Sequence, residues 1–354
     1  MDLDLTRRQL LAGIVGGGAV VGGGRATYNV FLGYDRFTGT NLKRQDLDPL
    51  VAQRLRPSDA DIATVDGHRL AYSSGVVSTT PETENDDGAT VSIVDDPADA
   101  AALDDELGLE DAPLEQLVAD LGAIDALELG TGEPGELDES NEPGETREVR
   151  FTYHSYPDFF AFVDAHETRP YTVNALRGYK TADPALIEAF ADADPADPKA
   201  VAEGLVDGFR EHTSYDIPRY VAGSIEDNVL FRTRDLRQYF ETPTDFDAIL
   251  ADEDTGLFCY ELTRRSVEAL QAVSALEQTT PVFGGFVKNT RHKHVYTILA
   301  SVVRDEYGGL VVPVTFLDYT HTTLYDDLRI RRLTGEGLDA YDSRHRATSV
   351  AWYH

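Results

Sequence analysis

A cysteine, a histidine and an aspartate occur in the C-terminal half of the chain at positions that suit nucleophilic catalysis. Cys259 is the only cysteine among the 354 residues, which excludes an intrachain disulfide and a cluster of thiolate metal ligands. It lies near the start of a helix predicted over 257–276, with Thr255 as N-cap and Gly256 permitting the turn. A thiol in a first helical turn meets the positive end of the helix macrodipole and unsatisfied N–H groups. These favour the thiolate and would stabilise an oxyanion.

Two features argue against a reactive thiol at Cys259. Three acidic residues, Asp252, Glu253 and Asp254, lie immediately upstream, and their charges would disfavour a nearby thiolate. A nearby imidazolium would therefore be needed to hold the thiolate. The opposing interpretation is an inert, buried cysteine, which is the commoner role of this residue type.

Two predicted strands offer an imidazole and a carboxylate. The runs 292–304 and 309–319 both carry mostly apolar side chains at even-numbered positions. Because successive side chains of a strand point to opposite faces, each run has one apolar face. The outer ends of these two faces carry His294 and Asp318.

The turn at 305–307 predicts the register of the two strands. A hairpin closing there pairs Arg304 with Gly308 and brings His294 directly opposite Asp318. Directly opposed side chains have Cβ atoms about 4.5–5.5 Å apart, close enough for an imidazole–carboxylate hydrogen bond. A shift of two residues keeps both side chains on one face, whereas an odd shift separates them. An aspartate in this position would orient the imidazole and stabilise its charged form.

Other assignments stay open from the sequence alone. His292 shares the predicted face of His294, and His321 lies beyond Asp318, so either is an alternative base. Asp318 is alternatively a turn residue. His292 and His294 together could bind a metal ion, but the spacing provides no third ligand. The chain also has no phosphate-loop motif in a strand–helix context, so the sequence predicts neither a metal nor a cofactor.

The order Cys259, His294, Asp318 resembles the transglutaminase-like cysteine hydrolases of the papain-like fold. In that family the cysteine opens a helix and follows a glycine with one residue between them. This chain has two residues between Gly256 and Cys259. A strand-borne histidine is followed two residues later by an aromatic, matched here by Tyr296, and an aspartate ends the next strand. The resemblance covers about 197–320. It implies a Cys–His–Asp triad and a cysteine helix packed on an antiparallel sheet.

The pattern of predicted elements favours the same α+β class. An amphipathic helix is predicted over 197–212, with Asp197 as N-cap and Pro198 at its first position. Two further helices are predicted at 97–108 and 113–121. Strand-like runs follow the cysteine helix at 281–287, 292–304 and 309–319. Helices followed by an antiparallel sheet are typical of α+β domains.

Acidic residues dominate the composition and limit the classes of partner. The net charge is −32, and residues 81–146 carry 22 acidic side chains and no basic one. Such a field repels nucleic-acid phosphates and anionic lipids, so neither is a predicted partner. Only 5 lysines accompany 26 arginines, which is typical of a halophilic surface. Loose calcium binding by the acidic block is the alternative, but no EF-hand loop is present.

The composition divides the chain into four predicted segments. Residues 1–24 contain paired arginines before a glycine-rich apolar stretch and resemble a twin-arginine (Tat) export signal, cleaved or retained as a membrane tether. Residues 25–129 form an acidic N-terminal region without a recognised function. A nearly apolar-free linker follows at 130–146, and the transglutaminase-like domain covers 147–354.

These observations predict an exported cysteine hydrolase or acyltransferase that acts on amide bonds of a peptide or protein substrate. Cys259 would attack, His294 would transfer the proton and Asp318 would orient His294. Its partners would be that substrate and the Tat machinery, and its location extracellular or at the cell surface. The alternative is an exported binding or scaffold protein that keeps the fold without turnover. A further hypothesis makes the acidic N-terminal region an inhibitory pro-segment.

Overall fold

The computed structural model describes most of the chain outside its N-terminus and several connecting segments. The described residues are 55–57, 60–82, 91–129, 149–177, 182–216, 219, 222, 243–251, 255–291, 294–320 and 346–352. The predicted export signal, the linker, the acidic run 252–254 and the alternative bases His292 and His321 therefore lie outside them.

The described residues before the linker form a four-stranded antiparallel sheet and two helices. The strands, in sheet order, are β1 (Ala60–Val65), β2 (His68–Ser73), β3 (Val76–Pro81) and β4 (Ser92–Val94). The helices are α1 (Pro97–Leu107) and α2 (Pro113–Leu129). The first agrees with the predicted 97–108, whereas α2 begins as predicted but continues well beyond the predicted end at 121. Asp104 of α1 accepts hydrogen bonds from the backbone N–H groups of Leu114 and Glu115 and so caps α2.

The described helices of the part after the linker lie between residues 156 and 270, before most strands of the main sheet. They are α3 (Tyr156–Asp164), α4 (Pro170–Leu176), α5 (Pro184–Ala191), α6 (Pro198–His212), α7 (Phe246–Ala251) and α8 (Cys259–Leu270). The N-cap predicted for α6 is confirmed, because Asp197 accepts from the N–H groups of Lys199 and Ala200 at 3.0 Å.

The main sheet has seven strands within the described part of the chain. They are β5 (Val149–Tyr153), β6 (Glu167–Thr168), β9 (Phe283–Asn289), β10 (His294–Ala300), β11 (Val303–Arg304), β12 (Leu310–Leu317) and β13 (Ser349–Trp352). Their order is β13-β9-β10-β12-β11-β6, and β5 pairs with β12 in parallel. All other pairs in this sheet are antiparallel. The described chain is thus a mixture of helix and largely antiparallel sheet, compatible with the predicted α+β class.

The predicted register of β10 and β12 is wrong by two residues. Arg304 pairs with Leu310 instead of Gly308, and Ile298 pairs with Phe316. The turn is wider than predicted because the Asp305 side chain accepts from two backbone N–H groups within it, and Gly308 adopts a φ of 78°. A shift of two residues preserves the faces of the strands. His294 and Asp318 therefore stay on one face but lie diagonally.

The cysteine helix begins later and ends earlier than predicted. Residues Thr255–Leu257 form strand β8, which pairs in parallel with β7 (Thr213–Tyr215), so Thr255 is not the N-cap. The helix starts at Cys259 with Phe258 as N-cap. Glycine at position 256 allows the Asp216 side chain to approach the backbone of β8 closely, and it does not form the predicted turn. A Cβ at Gly256 would lie 2.9 Å from Cγ of Asp216.

A buried carboxylate connects the acidic N-terminal region to the main sheet. Asp120 of α2 has a fully buried side chain and pairs with Arg169 at 2.7 Å and Arg304 at 2.6 Å. Thr172 also donates a hydrogen bond to it at 2.7 Å. Apolar side chains of α2 belong to the same core cluster as those of β5, β10 and β12. The region therefore contributes to the core beneath the sheet.

Two helical glycines provide a matched test of the close contact between α5 and α6. A Cβ at Gly204 of α6 would lie 2.0 Å from the Ala191 carbonyl oxygen of α5, whereas a Cβ at Gly122 of α2 would meet nothing within 4 Å. We expect Gly204→Ala to lower the free energy of unfolding by about 3 kcal/mol through overpacking. Gly122→Ala should raise it by about 0.5–1 kcal/mol through helix propensity. Denaturant unfolding in high salt measures the free energy of unfolding of both variants. Equal changes in the two variants would contradict the close contact between α5 and α6.

Candidate active site

The imidazole of His294 and the carboxylate of Asp318 form a buried hydrogen-bonded pair. His294 opens β10 and Asp318 directly follows β12, and their exposed fractions are 6% and 4%. Nε2 of His294 lies 2.7 Å from Oδ2 of Asp318. The other carboxylate oxygen accepts from the backbone N–H of Thr320 at 3.1 Å. Asp318 is therefore both a turn residue and the partner of His294, which the sequence presented as alternatives.

Cys259 is the third predicted residue at this site. It is the first residue of α8, it is partly exposed, and its charge and a side-chain hydrogen bond contribute to the raised pKa of His294. The structure thus brings together the three predicted site residues from a helix start and two strand ends.

The surroundings of His294 favour its charged form. Burial lowers its pKa, but the charge and hydrogen bond of Asp318, together with those of Cys259, outweigh burial and raise the pKa from 6.5 to about 10. The ring is therefore an imidazolium at neutral pH. An adjacent imidazolium is what a thiolate needs for stabilisation in a partly buried position.

Two pairs of aromatic rings lie near the candidate site. Tyr296, two residues after His294, has its ring centroid 5.8 Å from the imidazole and packs edge-on against Phe316 at 6.0 Å. Tyr260, next to the nucleophile, is 49% exposed and stacks on Phe286 at 5.4 Å. The first pair restricts the imidazole, and the second places an exposed aromatic surface beside Cys259.

The start of α8 is organised by residues that the sequence interpretation did not identify. Phe258 has no side-chain acceptor, and its own N–H donates to Oε2 of Glu261 at 2.9 Å. Arg219 forms an ion pair with the other oxygen of Glu261 and covers the Phe258 ring at 4.3 Å. Glutamate three residues after an N-cap is a capping-box position. The signal was present but was hidden by placing the helix start too early.

The residue types present suit acyl transfer. A thiol can act as a nucleophile, an imidazole as a proton donor and acceptor, and a carboxylate as the group that orients the imidazole. The first-turn N–H groups of a helix have no intrahelical acceptor, so those of α8 could stabilise an oxyanion formed next to Cys259. Among the described residues, no group of three or more His, Cys, Asp or Glu side chains is arranged to hold a metal ion.

No protein-family model, curated protein or solved structure matches this chain.

The pKa shift of His294 predicts a specific pH dependence of stability for Asp318→Asn. The raised pKa contributes stability that is fully present below pH 6.5 and is lost as the pH rises through about 10. The variant should therefore be less stable than wild type by about 3 kcal/mol at the acidic end of this window. The difference in the free energy of unfolding between wild type and variant should become smaller as the pH rises through about 10.

Denaturant unfolding of both proteins at several pH values across this window measures the difference. Asp105→Asn, at an exposed position of α1, is the control and should show no such trend. A stability difference that is constant across the window would contradict the assigned ion pair.

Proposed function

We propose that this protein is a transglutaminase-like cysteine hydrolase or acyltransferase that acts on amide bonds of peptides or proteins. The observation that carries the proposal is a partly exposed thiol hydrogen-bonded to an imidazole that a buried carboxylate holds in its charged form. A titratable group whose pKa is strongly shifted by a specific charge partner is typical of functional sites.

In the first half-reaction the thiolate of Cys259 attacks the carbonyl carbon of the scissile amide. The electron pair of the carbonyl π-bond moves to oxygen, and the first-turn N–H groups of α8 stabilise this oxyanion. As the intermediate collapses, the C–N bond breaks and the imidazolium of His294 gives its proton to the leaving amine. The products are a thioester on Cys259 and a free amine.

In the second half-reaction neutral His294 takes a proton from water, whose oxygen attacks the thioester carbonyl. The C–S bond then breaks, releasing a carboxylic acid and restoring the thiolate and the imidazolium. An amine in place of water would give transamidation. Water is the default acceptor, because the sequence marks no amine site. Asp318 holds the imidazole in one orientation through both steps.

The arrangement of secondary structure supports the papain-like comparison. The cysteine opens α8, the next strand in the chain is β9, and β9 pairs with the histidine strand β10. β10 in turn pairs with β12, which Asp318 directly follows. This is the order of cysteine helix, histidine strand and aspartate strand on which the resemblance rests.

We also propose that the protein is exported in the folded state by the Tat machinery and acts outside the cell or at its surface. The support is the paired arginines and glycine-rich stretch of residues 1–24. Among the described residues, no helix combines the length and apolar character needed to cross a bilayer.

Alkylation of the folded protein tests the proposal directly, because the only thiol in the chain is Cys259. We expect iodoacetamide to label native protein near pH 6 about tenfold faster than protein unfolded in guanidinium, since only the native thiol has an imidazolium partner. His294→Ala should reduce the native rate to that of the unfolded chain. Hydrolysis of a fluorescent casein substrate should disappear in both Cys259→Ser and His294→Ala.

His68→Ala is the matched control, because His68 lies in β2 and its ring hydrogen-bonds to the carbonyl of Asp66 in the adjoining turn. It should leave both readouts unchanged. Labelling that is equally slow in native, unfolded and His294→Ala protein would exclude the catalytic function and favour a binding or scaffold protein of the same fold.

A further inference from the structure

A second charged pair lies at the start of the cysteine helix, outside the triad. Oε1 of Glu261 pairs with the guanidinium of Arg219, and Oε2 accepts the N–H of Phe258 at 2.9 Å. The two side chains are 14% and 13% exposed, so solvent screens their charges only partly. This pair adjoins the nucleophile, because Phe258 directly precedes Cys259 and Glu261 lies two residues after it.

An acidic side chain at this point creates an electrostatic conflict. Glu261 is useful as a cap, because it satisfies a backbone donor at a helix start that Phe258 cannot cap with its own side chain. Its negative charge, however, would oppose a thiolate on Cys259 and weaken the positive end of the helix macrodipole. A cation bound to the same carboxylate removes most of this repulsion.

Arg219 is held in place by three separate contacts. Its backbone N–H donates to Oδ1 of Asp216 at 2.9 Å, and its guanidinium carbon lies 4.3 Å from the centre of the Phe258 ring. The third contact is the ion pair with Glu261. Asp216 is itself tied to β8, since its N–H donates to the Leu257 carbonyl at 3.1 Å. The guanidinium is therefore fixed against the N-cap.

Charged groups from three parts of the chain lie near the start of α8. His294 faces it from β10, with Asp318 behind the imidazole. Glu261 belongs to the same helix, whereas Arg219 and Asp216 come from the segment after β7. Among these described groups, Arg219 is the only one besides His294 that adds positive charge next to the helix start.

We propose that Arg219 is a positioning residue that sets the thiolate fraction of Cys259 by neutralising Glu261. The pair lets the cap carboxylate hold the start of α8 without cancelling the positive field at the nucleophile. This inference rests on the proposed function, because it concerns the reactivity of the same thiol.

The pH dependence of iodoacetamide labelling tests the inference in the full-length protein. Arg219→Gln leaves the carboxylate unpaired and should slow labelling near pH 6 by about three- to tenfold, moving the midpoint of the rate curve to higher pH. Glu261→Gln keeps an acceptor for the Phe258 N–H but leaves the guanidinium unpaired. It should therefore move the midpoint to lower pH.

Two further variants separate charge from structure. The double variant Arg219→Gln/Glu261→Gln should restore a midpoint close to that of wild type, because the net charge beside the thiol is again zero. Arg219→Lys should have a midpoint between those of wild type and Arg219→Gln, since lysine keeps the positive charge but loses the planar contact with Phe258. A purely structural role would not shift the two single variants in opposite directions.

Shifts in the same direction, or an unchanged midpoint in Arg219→Gln, would overturn the inference. Should Arg219→Gln fail to fold, the acid shift expected of Glu261→Gln decides the question. His294→Ala, measured in parallel, separates the two proposals. If His294→Ala slows labelling but neither Arg219→Gln nor Glu261→Gln shifts the midpoint, only this inference is overturned. If His294→Ala has no effect on labelling, the proposed function is overturned and this inference with it.

Discussion

Two ionisable side chains are buried at one end of the main sheet, and each is tolerated there because of the other. An unpaired carboxylate or imidazolium in such surroundings loses several kcal/mol of solvation. The contact between His294 and Asp318 at 2.7 Å replaces that solvation, and their attraction outweighs the effect of burial on the histidine pKa. The positive charge that results gives the neighbouring thiol its partner. The proposed chemistry therefore depends on keeping β10 beside β12 in one register.

Much of the remaining structure maintains the position of Cys259 relative to that pair. Strand β8 ends one residue before the N-cap, so its pairing with β7 fixes where α8 begins. Arg177 braces the connection between α8 and β9, because its guanidinium donates to the carbonyl oxygens of Val273 and Val282. Burial lowers the pKa of Arg177, and these carbonyl contacts partly offset the loss of solvation.

The sequence was a better guide to faces than to registers or helix ends. The apolar stripes of the two strands predicted that His294 and Asp318 share a face, and the structure agrees because a two-residue shift preserves side-chain alternation. The shift itself arose from hydrogen bonds of the Asp305 side chain within the turn. The start of α8 was misplaced because Thr255 resembles an N-cap, whereas its backbone is paired in a sheet with a distant strand.

The sequence by itself determined the chemical types and the order of the site residues: one thiol, an imidazole on one strand and a carboxylate at the end of the next. These follow from composition and from the two-residue period of a strand, which are local properties. Only the tertiary structure decided that Asp318 meets His294 diagonally, that the thiol reaches the imidazole, and that Arg219 pairs with Glu261. Each of these contacts joins residues more than 20 positions apart, and no local pattern specifies the distance between them.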